Sequence, residues 1–440
     1  MINAASSARE HVRQLGKRCR LQAQWVVGVY LGILLLGQIP VAGHWYDASS
    51  KTWVIILGWP ITFVIGYLAA VNLQMRRTIV PPSTEGGAYA VNIATQIFVI
   101  IGALGALAVV YDFAVLRNYG FNTSAARIRF EEVVASIQGL STDSPISGAG
   151  RLAIPAFVPG IVLAVSRWRE LTRPTMAIVG ASVLILLLEQ LRFEGGRFFL
   201  TALGLCGVVS ALLSPATPGQ LRAFRMKPGL IIRIALLGTL LLSFFVYVFV
   251  ARVLDREGFF WSSFVGYANN FYLDVDRTSI QRFDGMLGPL WFSVSMLWMY
   301  ITQGLSEFDQ IISLTHFNHA YGGYQFVQLT QISDLIFGTD LYYNRFINLP
   351  RSGTYITLPG CFYVDFGAVP AIFSGAVLGA LAGKSAWALI SGQLDAWALT
   401  GPIFLTISYF AGVISLFTNL WPALLWCLLM PMLQSQLGRK

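Results

Sequence analysis

Charge is scarce in this sequence: only 12% of its 440 residues are Asp, Glu, Lys or Arg, while 55% are hydrophobic. A soluble domain carries about twice that charged fraction, so water is excluded as the main solvent of the fold. Cysteine is scarce too, with Cys19 on a basic tail, Cys206 and Cys427 in apolar runs, and Cys361 alone on a loop. That set offers neither a disulfide framework nor a metal quartet. GxSxG, P-loop and HExxH patterns are absent, which removes the serine hydrolase, phosphate-loop and zinc-protease signatures. There is no internal repeat, and no pair of Gly- or Pro-broken spans in matching halves, which argues against a secondary transporter.

What the chain has in abundance is apolar runs of nearly the 20 or so residues that cross a bilayer core as a helix. Hydropathy with Pro, Gly and charge punctuation predicts ten spans, near residues 24–42, 52–73, 89–115, 151–166, 174–190, 198–214, 230–251, 362–383, 396–417 and 419–435. An eleventh apolar segment, Leu287–Ile301, is short and leads into the polar stretch QGLSEFD, which predicts a re-entrant or interfacial helix. The expected architecture is an all-α integral membrane protein, one polytopic domain over residues 1–440. The basic N-terminus, with Arg9, Arg13, Lys17, Arg18 and Arg20, has no small-residue cleavage site after it and reads as the flank of a retained first span.

Basic residues near span ends set the expected sidedness. With the N-terminus inside, the short cytoplasmic segments collect Arg76 and Arg77, Arg167, Arg169 and Arg173, Arg222, Arg225, Lys227 and Arg233, Lys384, and finally Arg439 and Lys440. Both termini are then cytoplasmic. Two outer loops stand out, residues 116–150 and residues 252–361, and a loop as long as the second is usually functional. Lys51 is the lone lysine expected on the outer face, beside twelve arginines. Arginine's planar fork suits bidentate contact with phosphate or carboxylate. A GC-rich genome would give the same excess of arginine, so composition alone does not define an anion site.

Four constellations carry candidate chemistry. The first is LEQLRFEGGRFFL, residues 188–200, where Glu189, Arg192, Glu194 and Arg197 share a tight turn at the outer surface. They either form local Arg–Glu pairs that close a hairpin, or leave Arg197 facing a cavity beside Gly195 and Gly196. In YITQGLSEFD, residues 300–309, Tyr300, Gly304 and Phe308 fall on one helical face, suited to packing or to binding. The third runs from HFNHAYGGYQF, residues 316–326, to RSGTYITLPGCFYVDFG, residues 351–367. There His316 and His319 are spaced to share a helix face, and aromatics interleave with Arg345 and Arg351, as sugar rings and phosphates require. Asp365 falls at the start of a span, where a carboxylate needs a partner or a task. In LDVDR, residues 273–277, Asp274 and Asp276 would point to one side of an extended segment, a weak divalent-metal pattern.

The order of GGRFFL, a YxTxGxxxFD segment in a long late loop, and a Thr/Tyr-rich lead into FYVDFG before a Gly-rich span resembles the Wzy-type O-antigen polymerases. The motifs cover about residues 185–385, and the topology covers the whole chain. The resemblance implies a bacterial inner-membrane glycosyltransferase of the C type. Such an enzyme moves a glycan from undecaprenyl diphosphate onto another lipid-linked repeat unit in the periplasm, sometimes beside a chain-length regulator. It implies that periplasmic arginines hold the diphosphate: Arg197 by motif position, Arg351 and Arg345 by loop location. DFGAVP here departs from the family's DFGxxG, which weakens the equivalence of Asp365. Arg192, Arg282, Tyr300 and Tyr355 complete the expected substrate contacts, with His319 and then Asp365 as candidate bases. No metal or other cofactor is expected, because arginines can stabilise a departing diphosphate. The rival classes are an O-antigen ligase, a transporter or flippase of lipid-linked sugars, and an acyltransferase. A flippase would line a central cavity with charges, yet the spans carry few besides Asp112 and Glu189.

Overall fold

A computed structural model describes residues 2–45, 47–77, 87–119, 144–190, 197–214, 259–270, 273–314, 318–326 and 356–437, with the isolated positions 250, 329, 333 and 336–338. The described chain is helical: α1 (Ile2–Gly37), α2 (Ser50–Arg77), α3 (Ala88–Tyr111), α4 (Pro145–Ala153), α5 (Phe157–Ser166), α6 (Arg173–Glu189), α7 (Arg197–Leu213), α8 (Phe260–Asn270), α9 (Arg277–Gln281), α10 (Gly288–Ser313), α11 (Leu358–Phe366), α12 (Ala368–Ile390), α13 (Ala396–Tyr409), α14 (Phe417–Cys427) and α15 (Met430–Leu437). A two-residue antiparallel pair, β1 (Gly43–His44) with β2 (Asp274–Val275), ties the connection between α1 and α2 to the long loop.

Among the described residues, five helical stretches are long and apolar enough to cross a bilayer: Val12–Gly37, Ser50–Arg77, Ala88–Leu116, Pro145–Ser166 and Ala368–Ile390. Their outward faces are apolar as well. Val54, Ile61 and Ile65 on α2 and Val369, Phe373 and Val377 on α12 are exposed, while Trp59, Phe63 and Tyr67 on the other face of α2 are buried. A helix apolar on both faces is at rest only in lipid or deep inside protein, so the protein is a helical membrane protein. Helices occupy nine of the ten expected spans; residues 230–249 of the seventh lie outside the described residues.

In α12, Gly375, Gly379 and Gly383 recur every four residues and present bare backbone to α2. A Cβ at these positions would meet the Trp59, Phe63 and Tyr67 carbonyl oxygens in turn. Small residues at that spacing let two membrane helices approach closely and gain dispersion contacts that lipid alone does not favour. Side chains clamp the crossing: Thr62 Oγ1 donates to the Ile372 carbonyl (2.6 Å), and Trp59 Nε1 donates to Ser374 Oγ (3.1 Å).

Several expectations change. α1 begins at Ile2, far ahead of the predicted span. Leu15, Cys19, Ala23, Val26, Tyr30 and Leu34 form a buried stripe at helical spacing, so the basic tail continues the helix and Cys19 is buried within it. The segment predicted to stop at Ile301 runs on through QGLSEFD to Ser313 as one 26-residue helix, because its polar residues are taken up in contacts with α2 and α11. Cys361, expected on a loop, is buried in α11. The predicted span 362–383 is broken at Gly367, whose φ of 86° with ψ of −176° is a backbone state open to glycine alone. The predicted span 396–417 leaves the helix after Tyr409, and its last residues pair with the lead into α11: Leu358 N–H donates to the Ala411 carbonyl (2.8 Å), and Ser415 N–H to that of Ile356 (3.1 Å).

The long loop has a core of its own. Phe264, Ala268, Leu273, Phe283, Phe292, Met296, Trp298 and Met299 bury one another together with Ala42. Asp276, read above as half of a metal pattern, closes a turn at the start of α9. It accepts from Thr278 N (3.0 Å), Thr278 Oγ1 (2.6 Å) and Ser279 Oγ (3.0 Å), and Asp274 pairs with His44 in the strand ladder.

Candidate functional site

At the C-terminal end of α11, backbone carbonyls are left without helical partners. The turn 318–326 supplies donors: Ala320 N–H to the Val364 carbonyl (3.0 Å) and Tyr321 N–H to the Asp365 carbonyl (3.0 Å). The Asp365 side chain, fully buried, completes the clamp by accepting from Tyr324 N on Oδ1 (2.9 Å) and Gln325 N on Oδ2 (3.0 Å). Gln325 Oε1 in turn accepts from Ser415 Oγ (2.9 Å), which joins the turn to the break after α13. One buried carboxylate thus folds the YGGYQ stretch over the helix end. The turn places Tyr321 at φ 46° and Gly322 at φ 95°, and Tyr321 projects with 71% of its surface exposed. A bulky residue held in the left-handed region is uncommon, and such strain clusters at functional sites.

His319 opens this turn. It is not helical, so the i, i+3 helix face expected with His316 does not form; His316 itself lies outside the described residues. His319 Nδ1 lies 3.4 Å from the Val364 carbonyl oxygen, an acceptor only, so this contact is a hydrogen bond when Nδ1 carries the ring proton. The ring stands edge-on to Tyr363, with centroids 6.0 Å apart. Gly367 lets it sit there, since a Cβ at that position would come within 3.2 Å of Nε2.

Tyr363 gathers the remaining groups. Lys51, exposed in the first turn of α2, donates to its hydroxyl (3.4 Å) and lies 5.6 Å from the ring centroid. Phe308 of α10 packs edge-on against the same ring at 5.6 Å. α10 is held by two contacts from its own motif. A Cβ on Gly304 would collide with the Val413 carbonyl oxygen, and Asp309 Oδ1 accepts from Ser49 N (2.8 Å), Ser49 Oγ (2.7 Å) and Thr52 Oγ1 (2.6 Å). A carboxylate there meets the unpaired N–H groups and positive dipole end of α2. On the neighbouring face of α10, Glu307 is buried, and Gln303 is buried with no hydrogen-bond partner for its amide among the described residues.

The structure brings His319 and Asp365 together, one turn from each other's backbone. Tyr300 and Arg282 belong instead to the core of the long loop: the Tyr300 hydroxyl bonds that of Tyr267 (2.8 Å), and the exposed Arg282 guanidinium lies over Trp291 at 5.0 Å. Arg197 begins α7, with its side chain outside the described residues, as are Arg192, Arg345, Arg351 and Tyr355. Glu189 is fully buried and accepts from Gln190 Nε2 (2.7 Å). Sequence reasoning passed over Lys51 and Tyr363. Their signals were available, a lone outer lysine and the tyrosine of FYVDFG, but nothing in the sequence places residue 51 beside residue 363. No family model, curated protein or solved structure matches the chain.

Proposed function

We propose that the protein is a membrane glycosyltransferase that polymerises lipid-diphosphate-linked oligosaccharide repeat units at the non-cytoplasmic face of a bacterial inner membrane. The observation that carries the reading is that Tyr363 of α11 gathers both His319, which opens a strained, Asp365-clamped turn, and Lys51 of α2. A base, a flat aromatic and a cation side by side are what a sugar hydroxyl and a departing diphosphate require.

The pairing of helix ends supports the grouping of segments on common faces. Arg18 donates to the Leu212 and Ser214 carbonyls at the C-terminus of α7, Arg20 to Asn72 Oδ1, and Arg167 to the Gly392 carbonyl, all in segments read as cytoplasmic. Asp309 with Ser49 joins segments read as outer. In this reading ten spans put both termini inside.

In the reaction, the acceptor sugar hydroxyl attacks the anomeric carbon of the donor glycan. The bond from that carbon to the diphosphate oxygen breaks, and the electron pair leaves with the lipid diphosphate. His319 Nε2 takes the hydroxyl proton, while Lys51 and the loop arginines, Arg197 foremost with Arg192, Arg345 and Arg351, stabilise the charge on the leaving oxygens. Asp365 acts through the turn it holds. The test is to supply purified protein with lipid-linked repeat units extracted from a strain deleted for its gene. A ladder of longer lipid-linked glycans is expected. Units returned unchanged, or transferred singly to a lipid A core, would overturn the polymerase assignment.

A further inference from the structure

A cavity lies beside the N-terminus of α2, lined there by Asp47, Ala48 and Trp53. It measures ≈ 250 Å³ and is formed by the connection between α1 and α2 closing on α10. Its floor is Thr302, Leu305 and Ser306, and its walls are Trp45 and Trp53, with Gln38, His44 and Asp47 also lining it. The site is built rather than incidental. Trp45 Nε1 donates to Thr302 Oγ1 (2.8 Å) and its ring stacks on Trp298 at 5.8 Å. β1 pairs Gly43 and His44 with β2, where the strands approach so closely that a Cβ on Gly43 would collide with the Asp274 carbonyl oxygen. The indole wall is therefore fixed before any ligand arrives.

The lining selects its ligand. Among the described residues it contains no lysine or arginine, a lining unlike that of a diphosphate site. It does offer flat indole surface beside an amide, an imidazole, a carboxylate and two hydroxyls, the mix of apolar wall and few placed polar groups that fixes a ligand's orientation. A pyranose ring matches this in kind, with C–H faces to stack on indole and a rim of hydroxyls to donate and accept. Ser49 and Thr52, which bind Asp309, and Lys51, which reaches Tyr363, belong to the same stretch of chain as the lining residues Asp47, Ala48 and Trp53.

We propose that this cavity is a saccharide subsite that holds one uncharged pyranose ring of the lipid-linked glycan, away from the diphosphate. The inference rests on the transferase reading for its biological ligand, but the cavity's own chemistry can be tested without turnover. Saturation-transfer NMR would be run on the full chain in nanodiscs free of glycoside detergents, with methyl glycosides of glucose, galactose, mannose and N-acetylglucosamine as probes. Transfer to at least one glycoside is expected, undiminished by excess inorganic diphosphate and retained in His319→Gln. Trp53→Ala should weaken it about tenfold, the loss of roughly 1.4 kcal/mol of ring contact. Asp47→Asn, an exposed substitution that spares the packing, should weaken it as well. No transfer to any glycoside, equal transfer in both variants, or loss only in His319→Gln would overturn the subsite. Glycoside binding with the expected properties in a protein that makes no polymer would sink the transferase reading alone. Polymer formed at the wild-type rate and KM by Trp53→Ala would sink the subsite alone.

Discussion

Asp365 and His319 sit side by side yet have different work, and the difference is geometric. Both Asp365 oxygens accept backbone N–H groups, so the carboxylate shapes the turn, whereas the His319 ring stands edge-on to Tyr363, whose hydroxyl accepts from Lys51. Asp365→Asn turns an amide donor toward a backbone donor. It should lower stability by about 1–3 kcal/mol, read by thermal unfolding, with activity falling alongside. His319→Gln should leave the melting temperature near that of the parent and lower kcat by about 10²- to 10⁴-fold; near-normal turnover would remove His319 from the reaction. Arg197→Ala should abolish long-chain product at normal protein level. Arg197→Lys should rescue it poorly, because a point charge cannot reproduce a two-pronged phosphate contact, and full rescue by lysine would reduce Arg197 to a simple charge.

Between elements, the tightest constraint is the glycine ladder of α12 against α2. A Cβ at residue 379 would collide with the Phe63 carbonyl oxygen, which cannot move without carrying the helix with it. Gly379→Leu should therefore cost roughly 1–3 kcal/mol, seen as a lower unfolding temperature in micelles, while the same change at the open Gly28 should cost much less. The α9 turn supplies a pH test. The Thr278 hydroxyl, then the Thr278 N–H and the Ser279 hydroxyl, hold the Asp276 carboxyl below its ordinary value of 3.8. A carboxylate depressed in the folded state adds stability above its unfolded value, lost as pH falls through the folded one. Protection of the Thr278 amide, corrected for intrinsic exchange, should be constant from neutral pH to about pH 4 and then decline. Asp276→Ala should lack protection throughout, and a flat wild-type profile down to about pH 2 would show that the carboxylate does not hold the turn.

At the scale of the molecule, sidedness is open to a direct measurement. The four cysteines are buried, so a maleimide that cannot cross membranes meets little background. Met286→Cys in the long loop, fully exposed in the parent, should label in intact spheroplasts. Trp168→Cys, between α5 and α6, should label only after lysis. The reverse pattern would invert the topology and move the His319 site to the cytoplasmic face, where lipid-linked units would need a different acceptor.

The sequence by itself determined the solvent and the class of element. Apolar runs of about 20 residues with sparse charge point to helices inside a bilayer, and nine of the ten predicted spans overlap helices, although residues 38–42 and 410–416 leave them. It also pointed to Gly304 and Phe308 by their four-residue spacing on one helical face, to His319 by its place in an aromatic-rich loop, and to Asp365 because a carboxylate at the start of a span is costly without a partner or a task. It did not show where helices break. Gly367 and the bend after Tyr409 depend on partners far along the chain, the His319 ring and the backbone of residues 356–358. Nor could spacing bring Lys51 to Tyr363, Asp309 to the start of α2, or Trp45 and Trp53 to α10. Those meetings span about 250 to 310 residues, and hydropathy carries no information about which helix ends are neighbours. Only the packing of α2 between α12 and α10 decides that, and with it which of the many outer polar residues share a site.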